Sequence, residues 1–70
     1  MGDLKISLAA ARVNAKLTQD DISQRLKVSK NTVVNWESGK TEPTISQARA
    51  LSKILNFPLD LIIFMPSETN

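Results

Sequence analysis

Lys30, Asn31, Thr32 and Asn35 bring four hydrogen-bonding side chains into six consecutive residues. Asn31 and Asn35 are four apart, so on a helix they share one face. Asparagine pairs bidentately with adenine, lysine donates to guanine, and a threonine or valine methyl meets the methyl of thymine. The chemistry on offer is recognition of base edges. The residue types that make and break bonds are scarce. The chain has no His and no Cys, which removes the commonest general base, the commonest zinc ligands and the thiolate nucleophile. Asp20 and Asp21 are adjacent acids, but no His, Cys or Gly-rich loop lies near them. They are better placed to cap a helix than to catalyse, and no enzyme activity, metal, cofactor or small-molecule ligand is expected.

Charge points the same way. The formal net charge is only +2, yet its distribution is uneven. Residues 22–40 carry Arg25, Lys27, Lys30 and Lys40 against Glu37, whereas residues 41–70 carry Arg49 and Lys53 against Glu42, Asp60 and Glu68. A local excess of cations beside base-reading side chains is what a phosphate backbone selects. Lys16, Arg49 and Lys53 are read as solvated charges. No apolar run approaches the roughly 18 residues of a membrane span, and the start has no signal-peptide core. The cytoplasm is the expected compartment.

These side chains need short, well-capped helices to hold them. The chain has 70 residues, enough for one small domain that buries about 60% of its unfolded surface. Nothing alternates apolar and polar over a useful length, so no strand is expected. Leu4, Leu8, Ala11 and Ala15 repeat at helical spacing, and Asp3 can cap that first helix. Thr18 followed by Asp21 forms a capping box for a second helix with Ile22, Ser23 and Leu26 inward. It stops near Lys27 and Val28. Ser29 caps a third helix with Val33, Trp36 and part of Val34 inward. Trp36 is thereby assigned to the core rather than to stacking on a flipped base. Gly39 ends that helix in the left-handed region. Thr44 and Gln47 form a second capping box, opening a helix with Ile45, Ala48, Leu51 and Leu55 on one face. A fifth helix is expected from Pro58 to about Phe64.

One buried pair follows from the same periods. Arg12 lies on the apolar stripe four residues after Leu8, where a charge needs a partner. Glu37 lies near the end of the third helix, where the dipole disfavours an acid. Both anomalies disappear if the two side chains meet.

The stretch from Leu4 to Phe64 resembles the Cro/repressor-type helix-turn-helix proteins, the XRE family. The residues that carry the resemblance are Leu17-Thr18-Gln19, Ile22, Leu26, Val28-Ser29, Val33, Trp36-Glu37-Ser38-Gly39-Lys40 and Pro43. The resemblance implies an all-α fold, a compact five-helix bundle of the lambda-repressor-like DNA-binding type. One domain is expected over residues 1–66, with the helix-turn-helix at 18–38 and a flexible tail at 67–70. The third helix is expected in the major groove of double-stranded DNA. Lys30, Asn31, Thr32 and Asn35 would contact bases or nearby phosphates. Gln19, Lys27, Lys40 and Thr41 would contact phosphates. An Arg12–Glu37 pair is implied as well. The family usually has Gly where this chain has Lys27, a position that tends to need positive φ at a cost of about 1 kcal/mol for other residues.

The expected function is a sequence-specific transcriptional regulator, a repressor on a palindromic operator. The alternative on the same fold is an adapter or antitoxin-like module that binds protein. A homodimer is expected through Leu61, Phe64 and Met65, apolar residues that a short terminal helix would leave exposed.

Overall fold

A computed structural model describes residues 5–64. Expectations that fall on Asp3, Leu4, Met65 and the segment 67–70 lie outside those residues. Four α-helices dominate: α1 (Leu8–Asn14), α2 (Gln19–Leu26), α3 (Lys30–Ser38) and α4 (Ile45–Leu55). Each starts at a side-chain cap. Ser7 Oγ accepts the Ala10 N–H at 3.0 Å, so α1 begins at Leu8 rather than directly after Asp3. Thr18 and Asp21 bond reciprocally at 3.0 and 2.8 Å. Ser29 Oγ accepts the Thr32 N–H at 3.1 Å, and Thr44 and Gln47 repeat the reciprocal box at 3.1 and 2.8 Å. These caps satisfy N–H groups that a helix leaves without internal partners.

Every helix is followed by a residue in the left-handed region: Lys16 (φ 63°), Lys27 (φ 60°), Gly39 (φ 84°) and Asn56 (φ 53°). Such residues break the helix sharply enough to pack the next one back onto the core. The core takes something from all four helices: Leu8 and Ala11 from α1, Ile22 from α2, Val33 and Trp36 from α3, Leu51 and Leu55 from α4. Ile45 does not join it. It is 72% exposed, because the first position of α4 precedes the turn that reaches the core. Val34 is exposed as well.

The C-terminal segment departs from the expected fifth helix. Leu59–Leu61 form one 3-10 turn, after which the chain extends. Strand β2 (Ile62–Ile63) pairs in parallel with strand β1 (Ile6–Ser7), Ile6 opposite Ile62 and Ser7 opposite Ile63. Two adjacent β-branched residues suit an extended backbone better than a helix. Extension also sets a period of two. Ile62 is buried in the core and Ile63 faces out at 40% exposure. Phe64 packs against the core and Leu61 is half-buried. The exposed helical stripe expected of Leu61 and Phe64 is therefore absent, and Ile63 takes its place on the surface.

Candidate nucleic-acid interface

Three residues, Lys27, Val28 and Ser29, connect α2 to α3. The N–H groups of Lys27 and Val28 both reach the Ser23 carbonyl, which closes the turn. Lys27 holds φ 60°, ψ 45°, a conformation that costs a residue with a Cβ about 1 kcal/mol. Ser23, buried beneath the turn, donates to the Asp20 carbonyl at 2.9 Å. On α3, Val33 and Trp36 are almost wholly buried. They fix the rotation of the helix about its axis and decide which residues face out.

The outward residues are those singled out by type. Lys30 and Asn31 are exposed, while Thr32 and Asn35 are half-buried. The Thr32 hydroxyl lies 2.9 Å from Ser29 Oγ, so it is shared with the cap and its methyl is the freer group. At the far end of α3, Gly39 turns the chain. The N–H groups of Lys40 and Thr41 return to the Asn35 carbonyl at 2.9 and 3.3 Å. Ser38 Oγ donates to the same oxygen at 3.1 Å. This folds the loop onto the helix end and leaves the Lys40 and Thr41 side chains exposed. Lys27 is exposed at the opposite end. Cationic side chains thus stand before, within and after the polar face of α3.

Arg12 and Glu37 meet beneath this face. Arg12 Nε donates to Glu37 Oε2 at 2.6 Å and Nη2 to Oε1 at 3.2 Å, while Nη1 reaches the Leu17 carbonyl at 3.0 Å. The side chains are 16% and 9% exposed. Gln19 joins them, its Nε2 donating to Glu37 Oε1 at 3.0 Å. Sequence reasoning directs Gln19 only outward. Its position at the start of α2, eighteen residues from Glu37, gives no local sign of this bond.

Asp21 is the acid whose environment shifts its titration. The Thr18 backbone N–H and then the Thr18 hydroxyl hold its carboxyl below the ordinary value; burial opposes them less strongly, and the Arg25 charge adds the smallest lowering effect. That is cap chemistry. A cleft of about 400 Å³ lies between the ends of α1 and α4 beside Asn14, Asn56 and Phe57, and has no ionisable side chain in its lining. Among the described residues no acidic cluster could hold a metal ion. No helix there is long and apolar enough to cross a membrane.

A short capped helix presented on a second helix, with amides outward and lysines around it, is the geometry of a helix-turn-helix DNA-binding domain. A family model described as helix-turn-helix matches residues 8–62, and the chain belongs to that family, of the XRE type. It is 42% identical over 53 residues to the HTH-type transcriptional regulator DicA of Escherichia coli (strain K12), covering 76% of this chain and 39% of that one. It is 30% identical over 56 residues to the HTH-type transcriptional activator BcrR of Enterococcus faecalis, covering 80% of this chain and 28% of the relative. An uncharacterized HTH-type transcriptional regulator of Methanocaldococcus jannaschii is 30% identical over 66 residues, covering 93% of this chain and 100% of the relative. The chain therefore spans less than two fifths of the first two relatives. No solved structure gives a significant match.

Proposed function

We propose that the protein regulates transcription by binding one DNA sequence through α3 in the major groove, and that it acts as a repressor. The observation that carries this reading is the first turn of α3. Lys30 and Asn31 are exposed there on a helix whose opposite face is locked by Val33 and Trp36. Base readout needs donors held in a fixed geometry, and this turn supplies it. In this reading Lys30, Asn31, Thr32 and Asn35 meet base edges, and Gln19, Lys27, Lys40 and Thr41 meet phosphates on either side. Repression needs only occupancy of a promoter, which such a domain supplies, whereas activation also needs a contact with polymerase.

A single α3 makes few base contacts, so tight binding calls for two copies on a palindromic site, their helices about 34 Å apart. The proposed dimer surface is the C-terminal end around Leu61, Ile63 and the accessible part of Phe64. The expected compartment remains the cytoplasm.

Selection of bound duplexes from a random pool tests the proposal. Enrichment of a two-fold symmetric motif is the expected result. A pool that stays random overturns it in favour of a protein-binding module. A promoter reporter carrying the motif should fall in output when the protein is expressed.

A further inference from the structure

The Arg12–Glu37 pair reaches the surface through Gln19. Glu37 Oε1 accepts from Gln19 Nε2 at 3.0 Å and from Arg12 Nη2 at 3.2 Å, and Oε2 takes Arg12 Nε at 2.6 Å. An ionised carboxylate only accepts hydrogen bonds. The Gln19 amide must therefore turn its nitrogen, not its oxygen, toward Glu37. One of its two N–H bonds is thereby used. The other diverges by about 120° at a trigonal nitrogen and has no partner among the described residues. The side chain is half-buried, so a group approaching from solvent can reach it. Phosphate, like carboxylate, only accepts.

A second consequence concerns charge. A bare carboxylate one hydrogen bond behind a phosphate donor would repel the phosphate. Arg12 cancels that charge with two bonds and places a third donor on the Leu17 carbonyl, next to the Thr18 cap. No buried side-chain nitrogen or oxygen among the described residues is left without a partner. The network therefore fixes both the backbone and the first side chain of α2 from beneath.

We propose that Glu37 and Arg12 are positioning residues for DNA binding: Glu37 orients the Gln19 amide with one N–H outward as a phosphate donor, and Arg12 neutralises the carboxylate behind it. The proposal rests on the DNA-binding reading given above. It separates two roles that the ion pair would otherwise merge, holding the fold together and preparing a contact to the backbone of the duplex.

A double-mutant cycle on the duplex recovered by selection tests it. Kd is measured for the wild type, Gln19→Ala, Glu37→Gln and the double variant, with circular dichroism confirming that each is folded. Gln19→Ala should weaken binding about tenfold in the wild type, as for loss of a hydrogen bond to a charged group. In the Glu37→Gln background the same change should cost less than about threefold. The extra positive charge of Glu37→Gln is common to both of its arms and cancels. A merely structural Glu37 would lower Tm and leave the two factors equal, and equal factors overturn the proposal while DNA binding stands. A wild type that binds no duplex overturns both. Where Glu37→Gln does not fold, the wild type still answers by NMR. The two Gln19 side-chain protons should differ in shift, and only one should move when duplex is added. Two protons that move together overturn the assignment.

Discussion

Asn31 and Asn35 stand one turn apart on α3, the first exposed and the second half-buried, with four donors sharing the backbone carbonyl of Asn35. Each amide is held by its helix rather than by a neighbour, so truncation should be felt locally. Asn31→Ala and Asn35→Ala should each cost about 1–3 kcal/mol on the selected duplex and relax preference at one base position. Repeating the selection with each variant measures it, and an unchanged motif would exclude that residue from readout. Lys27 carries two opposed effects. Its φ of 60° is strained by about 1 kcal/mol, while its charge at the end of α2 gains about 0.3–0.5 kcal/mol from the dipole. Lys27→Gly should therefore stabilise the fold by about 0.5 kcal/mol in denaturant melts. It should also weaken DNA binding and reduce the salt slope of log K by about 1. Asp21 titrates below its ordinary value because the Thr18 N–H bonds its ionised form. A group with a depressed folded pKa stabilises above its unfolded pKa and loses that contribution as pH falls through the folded value. Asp21→Asn should therefore lower Tm at neutral pH and flatten its decline below about pH 4.

Between elements, the Arg12 guanidinium ties α1 to the end of α3 and to the turn before α2. Removing one partner from such a buried pair typically costs about 3–5 kcal/mol, since it strands the other charge. Arg12→Met should fall in that range, and adding Glu37→Leu should recover much of the loss. Additive losses in denaturant melts would mean that the pair is not energetically coupled. The caps of α2, α3 and α4 are legible in the sequence because cap and partner lie within three residues of each other. Val33 and Trp36 are legible for a similar reason, as α3 is short and its period unbroken. The cap of α1 is not. Ser7 belongs to β1, and its place is set by Ile63 at the other end of the chain. Ile45 misleads because periodicity gives a face but not the point along the helix where the core begins. The Gln19–Glu37 bond has no local signal at all. The adjacent isoleucines 62 and 63 do carry one, since a β-branched pair favours extension over a helical turn.

At the scale of the molecule, the helices leave one side of the core to be closed by β1 and β2. Ile62 is the only residue of β2 in that core, and Ile62→Ala should cost about 2–4 kcal/mol. That is a large share of the stability of so small a domain, and the thermal transition should show it. The closing pair joins Ile6 to Ile62, across nearly the whole described chain, whereas α2 and α3 meet through a three-residue turn. Loop closure over some 50 residues is entropically dearer than closing a short turn by about 2–3 kcal/mol. The helix-turn-helix should accordingly assemble first and the terminal pair should latch last. Contacts that form after the transition state change unfolding and leave folding nearly alone. In stopped-flow chevrons, Ile62→Ala should therefore raise the unfolding rate by most of its destabilisation, with little change in the folding limb. The β pair would then govern how long the DNA-reading helices stay assembled, and have little say in how fast they form.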